Sequence, residues 1–144
     1  MFASAAYYVF RMYSSSKGDT ALPVTTNSGT YSVKNGTQGY ADVSDVPYID
    51  VLATRSTANH TLTLYCVNRS LTDDAPVQID LGSFAAGRIA KVEQVTAVSR
   101  YVINDEIEPK RVVPQVSSLN VVPKELLTTT LPHESVTVIN LLER

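Results

Sequence analysis

The dominant pattern along the chain is a period of two. From residue 20 onward, short segments rich in Val, Thr, Ile and Leu are separated by Gly, Asn, Asp or Pro. In "TLTLYCVN" (61–68), Leu62, Leu64 and Cys66 share one face, and Thr63, Tyr65 and Val67 share the other. "YIDVLATRS" (48–56) aligns Ile49, Val51 and Ala53. "PVQIDL" (76–81) aligns Val77, Ile79 and Leu81 with Gln78 and Asp80 opposite. Successive strand residues point to opposite faces, so this alternation predicts half-buried strands. "RIAKVEQVTAV" (88–98), "RVVPQVSSLNVV" (111–122), "ELLTTTL" (125–131) and "SVTVINLL" (135–142) continue the pattern, with Pro114 marking an edge or a loop. Seven or eight strands, with no helix-length pattern between them, predict an all-β fold: a two-sheet β-sandwich, jelly-roll-like.

Two regions depart from the alternation. "AAYYVFRMYSSSKGD" (5–19) can be read at helical spacing, with Phe2, Ala6, Val9, Phe10 and Tyr13 on one face and "SSSKGD" ending the element. Tyr, Val and Phe also favour strands, so a short strand competes with a short amphipathic helix. The stretch from Ser28 to Val46 holds three of the six glycines and an Asn35-Gly36 turn signal, and reads as a hairpin or a long loop.

Composition narrows the field. A chain of 144 residues, 44% hydrophobic and 18% charged, can bury one core and fits a single globular domain. A net charge of −2 and scattered basic residues give no electrostatic footprint for nucleic acid. No apolar run reaches the ~18 residues of a membrane-spanning helix. The start has no early Lys or Arg and is interrupted by Arg11, unlike a secretory signal, which makes a cytoplasmic location the default expectation. Three Asn-x-Ser/Thr sequons, at Asn35, Asn59 and Asn68, then read as chance occurrences.

Candidate chemistry is sparse. His60, His133 and Cys66 show no metal-ligand spacing, and Cys66 reads as a small buried hydrophobe, so no metal and no cofactor is expected. There is no G-x-S-x-G elbow and no phosphate-binding glycine loop. Asp73 and Asp74 read as the hairpin turn between strands ending at Asn68 and starting at Val77, and Asp105, Glu106 and Glu108 as a solvated loop. No residue is therefore assigned a catalytic role. Among the aromatics, Tyr48 and Tyr65 read as core or cross-strand packing. Tyr31 and Tyr40 flank the glycine-rich stretch and are the candidate carbohydrate-binding residues, because exposed rings stack on sugar faces.

Several strings, in order, carry a resemblance: "YYVFRMYSSSKGDTALPV" (7–24), "VPYIDVLATRS" (46–56), "LTLYCVNRSL" (62–71), "PVQIDL" (76–81) and "LPHESVTVINL" (131–141). Together they resemble the C-terminal end of glycoside hydrolase family 51 α-L-arabinofuranosidases. "INDEIEPKRVVP" (103–114) is similar to that family's Asn-containing stretch, through Asn104, Pro109, Val112 or Val113, and Pro114. The resemblance implies a C-terminal jelly-roll sandwich that follows a (β/α)₈ barrel carrying two catalytic glutamates. It divides the chain into 1–19, a remnant of the last barrel helix with its linker, and 20–144, the β-sandwich. No residue here matches a catalytic motif of the family. The implied role is a non-catalytic accessory domain of an enzyme acting on arabinose-containing plant polysaccharide, with homo-oligomerisation through the N-terminal segment. A free-standing carbohydrate-binding module is the alternative, and a small glycosidase using Asp105, Glu106 or Glu108 is the remaining one.

Overall fold

A computed structural model describes residues 2–16, 18–34, 41–99, 101–123 and 126–144. Among the described residues, one helix, α1 (Ala5–Ser15), precedes ten strands: β1 (Thr20–Leu22), β2 (Thr30–Val33), β3 (Val43–Pro47), β4 (Ile49–Ser56), β5 (Thr61–Asn68), β6 (Ala75–Ile79), β7 (Ala86–Val95), β8 (Gln115–Asn120), β9 (Leu127–Leu131) and β10 (Ser135–Glu143). The expectation of seven or eight strands falls short because a three-residue strand such as β1 is too brief to show alternation, and because β2 and β3 pair with each other; the Asn35-Gly36 turn lies outside the described residues.

Six strands make one antiparallel sheet in the order β1-β4-β5-β10-β7-β8. Its centre is the pairing of β5 with β10, which runs from Asn68 opposite Ser135 to Thr61 opposite Leu142. A separate antiparallel ribbon, β6 with β9, forms the second layer, and β2 pairs antiparallel with β3 in a further two-stranded sheet. The architecture is a β-sandwich with unequal layers.

Alternation places the two apolar sets. Leu62, Leu64, Cys66, Ile139, Leu141, Ala90 and Val92 face the ribbon, where Leu127 and Leu131 complete the core. Tyr65, Val95 and Val138 face the other way and pack with Met12 of the helix and with Val112. The central sheet is thus covered on both faces, and each fully buried Leu, Ile or Met removes apolar surface worth ~1.5–3 kcal/mol.

The helix starts at Ser4, whose hydroxyl caps it by accepting from the Tyr7 N–H at 3.2 Å. Its C-terminus is a serine run in which the Ser14 and Ser15 hydroxyls donate back to the Arg11 carbonyl, a bonding pattern that competes with continued helix. Gly18 then lets the chain turn close over β4: a Cβ there would lie 2.8 Å from both the Arg55 carbonyl oxygen and the Thr54 side chain. The burial differs from the expected face. Met12 is fully buried and Tyr8, Val9 and Tyr13 are half-buried, whereas Phe2, Ala6 and Phe10 are exposed, Phe10 at 76%. Apolar residues occur around most of the helix, so spacing alone selects the wrong stripe. The helical reading itself holds over the competing strand.

The Asp73–Asp74 turn also needs correction. β5 and β6 do not pair: β5 lies in the large sheet and β6 in the ribbon, so residues 69–74 form a crossover between layers and not a hairpin.

Candidate functional site

The crossover is organised by Asn68, a buried side chain at the end of β5. Its Nδ2 donates to the Asp73 carbonyl at 3.0 Å and to the Leu131 carbonyl at 2.9 Å, and its Oδ1 accepts from the Ser70 N–H. One amide therefore ties the large sheet to the ribbon, and the bonds to Leu131 and Ser70 are buried. Asp73 accepts from the Ser70 and Thr72 hydroxyls. Asp74 accepts from both the backbone N–H of His133, at 2.9 Å, and its ring Nδ1, at 2.7 Å. The backbone and ring bonds from His133 hold the Asp74 carboxyl below the ordinary carboxylate range. Both aspartates serve the connection between layers.

The second acidic group stays on a solvated loop. The Asp105 Oδ1 accepts from the N–H groups of Ile107 and Glu108, a local turn arrangement. Asp105 and Glu108 both pair with Arg111. With Glu106, Asp105 borders a depression of about 400 Å³ that Phe2 and Pro109 also line. The preceding residue has the structural role: the buried Asn104 side chain donates to the Ala3 carbonyl at 2.6 Å and to the Val112 carbonyl at 2.8 Å, and accepts from the Val112 N–H at 2.7 Å. It fastens the loop to the start of the helix. Sequence reasoning noted Asn104 as a point of family resemblance and missed this clasp, since nothing in the spacing joins residue 104 to residue 3.

The tyrosines divide. Tyr65 is buried, as expected; its ring packs on Tyr13 at 4.6 Å, and its hydroxyl donates to the Ser16 carbonyl at 2.6 Å. Tyr48 lies at the bend between β3 and β4, on the margin of exposure, where its ring meets Tyr31 at 5.2 Å with planes inclined by 39°. Tyr31 is half-buried in β2. Tyr40 lies outside the described residues. The structure thus brings Tyr31 to Tyr48, a pairing that their 17-residue separation hides.

The two histidines sit at turns, each against a carboxylate: His133 on Asp74, and His60 3.5 Å from Glu143, which also accepts from Arg55 at 2.7 Å. Arg55 holds the Glu143 carboxyl below its usual range. Among the described residues, no three His, Cys, Asp or Glu side chains converge as a metal site would need. Cys66 is buried, and burial pushes its thiol up to about 12.

Two apolar features remain. One is the outer side of α1, where Tyr7 and Phe10 are exposed, together with Ile103 and Ile107 on the loop that Asn104 clasps. The other is a cleft of about 1180 Å³ between the sandwich layers, with Ile49, Val51, Ala53, Leu62, Leu64 and Cys66 at its floor. Residues 22–27 form one wall, and β6 with residues 80–82, together with β9, form the other. Among the described residues, no helix is long and apolar enough to cross a membrane.

Comparison with known proteins gives these features a setting. The sequence profile of the α-L-arabinofuranosidase C-terminal domain matches residues 1–135. No curated protein sequence matches at a significant level. Among solved structures, the chain is similar to an α-L-arabinofuranosidase from Thermotoga maritima, in an arabinose complex, with a TM-score of 0.89 and 20% identity over 99% of this chain and 30% of that one. A thermostable family 51 enzyme from Thermotoga petrophila matches with a TM-score of 0.86 and 20% identity, over 96% of this chain and 29% of that chain. The family 51 enzyme from Xanthomonas axonopodis pv. citri matches with a TM-score of 0.76 and 20% identity, over 98% and 27%. The 144 residues therefore span less than a third of the length of these relatives.

Proposed function

Because this chain belongs to the α-L-arabinofuranosidase C-terminal domain family, we propose that it acts as a non-catalytic accessory domain of an arabinofuranosidase working on arabinose-containing plant polysaccharide, where it braces the catalytic barrel. The observation that carries this reading is the two-sided helix. Tyr8, Met12 and Tyr13 bind α1 to the sandwich, while Tyr7 and Phe10 point away from it. A helix apolar on more than one side is suited to burial between two bodies. On this reading residues 1–19 are the joint to the barrel and residues 20–144 the brace. In the isolated chain, the same surface favours self-association, which a solution mass measurement reads directly.

Catalysis by this chain alone has no support in the acids described. Glycoside hydrolysis needs two carboxylates facing across a scissile bond on rigid elements, whereas Asp73 and Asp74 bind the crossover and Asp105 and Glu108 share Arg111. The chain is expected to leave an aryl α-L-arabinofuranoside unhydrolysed. Turnover that disappears in Asp105→Asn, Glu106→Gln or Glu108→Gln overturns the accessory reading.

A second reading, a carbohydrate-binding module, draws on the Tyr31–Tyr48 pair beside the glycine-rich stretch. Affinity electrophoresis in arabinan and arabinoxylan tests it. Retardation abolished by Tyr31→Ala or Tyr40→Ala supports it, and unaltered migration at high polymer concentration removes it.

A further inference from the structure

The stretch "VVPQVSSLNVVP" (112–123) carries no charged side chain. Within it, β8 is the last strand of the large sheet and pairs with β7 on one side. Among the described residues, no strand lies along its other side. The opposite end of the same sheet is β1, only three residues long. An end so short recruits no further strand, whereas longer edges are guarded by a lysine, a proline or a bulge. β8 has none of these. Its register is unbroken from Gln115 opposite Gln94 to Asn120 opposite Ile89, and Pro114 and Pro123 stand outside it. Every position is exposed except the half-buried Leu119.

We propose that β8 is the contact through which two copies of this chain associate, pairing antiparallel about a two-fold axis at Ser118 so that two six-stranded sheets become one. The inference is independent of the accessory-domain reading. The direction of the backbone groups sets the register. The Val121 N–H donates to the Arg88 carbonyl at 2.8 Å, and hydrogen-bonded pairs alternate along an antiparallel ladder, so Gln115, Ser117 and Leu119 turn their N–H and C=O groups to β7. Those of Val116, Ser118 and Asn120 point away from the sheet. A two-fold axis normal to the sheet sets one residue opposite its own copy, and Ser118 is the middle of the three outward positions. Ser118 then exchanges both N–H···O bonds with its copy, and on either side Val116 exchanges both with Asn120 of the other copy. The faces agree as well. Leu119 packs on the core beneath the ribbon, so it meets Ser117 of the second copy on that face, while the two Ser118 side chains lie against each other on the helical face. No like charges are opposed, which would weaken the pairing. A two-fold contact consumes the edge on both copies, so association closes at two. The contact is one strand edge in extent, which places it among weak, concentration-dependent interfaces.

The test uses the full chain carrying Phe10→Ser, which removes association through the outer side of α1. Sedimentation from micromolar to millimolar concentration is expected to show a monomer passing into a dimer. In hydrogen exchange, the amides of Val116, Ser118 and Asn120 should slow about tenfold or more between the dilute and the concentrated sample, while those of Ser117 and Leu119, which face β7 in both states, stay the same. Ser118→Lys sets two ammonium groups against each other at the axis and should leave a monomer at every concentration. Leu71→Lys, which adds the same charge at an exposed position in the crossover, should leave the dimer intact. A thermal melt verifies that both variants fold. Four results overturn the proposal: a monomer at every concentration before Ser118 is changed, a dimer that persists in Ser118→Lys, loss of the dimer in Leu71→Lys as well, or protection along β8 that does not alternate or does not depend on concentration, which means that the chain covers its own edge.

Discussion

On one face of the large sheet, Tyr65, Val95 and Val138 are sealed by a helix and Val112. On the other, Leu62, Leu64 and Cys66 meet a two-stranded ribbon across a cleft of about 1180 Å³. The helical side is finished at its rim by polar ties: the Tyr65 hydroxyl on the Ser16 carbonyl, Asn140 on the Ser16 hydroxyl and Asn104 on the Ala3 carbonyl. Its surplus apolar surface lies outside, on Tyr7 and Phe10. On the ribbon side Asn68 donates to the Leu131 carbonyl and Asp74 accepts from His133, and the surplus apolar surface lines the cleft. Apolar surface beyond what the sandwich needs is thus present on both faces, on the outside of the helix on one and along a cleft on the other.

The contrast can be broken first at Met12, which is fully buried. Met12→Ala should lower unfolding stability by about 2–5 kcal/mol in a urea titration, the usual cost of a large-to-small core change. Val51→Ala, on the cleft floor where the side chain is already half-buried, should cost about 1 kcal/mol or less. Equal losses would erase the distinction between a sealed face and an open one. Next comes Asn104→Ala, which strands the Val112 N–H and two carbonyls. A loss of about 2–3 kcal/mol is expected, from desolvated backbone groups left without partners, and amide exchange at Val112 should accelerate with it.

These variants also mark what could be read in advance. The alternation in 61–68 identified β5 and its two faces, but the half-buried strand it predicts is buried on both sides, because the helix covers the face that carries Tyr65. The helix was legible as an element and its buried stripe was not, because Phe2, Ala6 and Phe10 match helical spacing as well as Tyr8 and Met12 do. The Asp73–Asp74 turn carried the same composition for a hairpin as for a crossover; only the partner of β6, the distant strand β9 that pairs Ala75 with Leu131, decides between them. The clasp at Asn104 and the Tyr31–Tyr48 contact are products of tertiary structure with no local signature.

Smaller effects sharpen the comparison. Tyr65→Phe removes the bond to Ser16 and should cost about 1 kcal/mol without disturbing the cleft. Acid should weaken the ties between elements. The pKa values of Asp74 and Glu143 are lowered in the folded state, so their contribution is present above the unfolded-state values near pH 4 and is lost as pH falls through the lowered folded ones. The melting temperature should drop below about pH 4, and Asp74→Asn with Glu143→Gln should flatten that drop. A drop of undiminished size in the double variant would assign acid sensitivity elsewhere. At the small end, Phe10→Ser should change stability by less than ~0.5 kcal/mol while reducing self-association measured by sedimentation.

The ties that hold α1 join residues far apart in the chain: Ala3 bonds across 101 positions to Asn104, and Ser16 across 124 to Asn140. Synthesis proceeds from the N-terminus at ~5–20 residues per second, so the helix emerges several seconds before the strands that receive it. Tyr8, Met12 and Tyr13, the side chains that pack on the sheet, must wait unburied through that interval. Docking of α1 is therefore a late event in folding, and the yield of native protein depends on how that early segment is kept from other chains in the meantime.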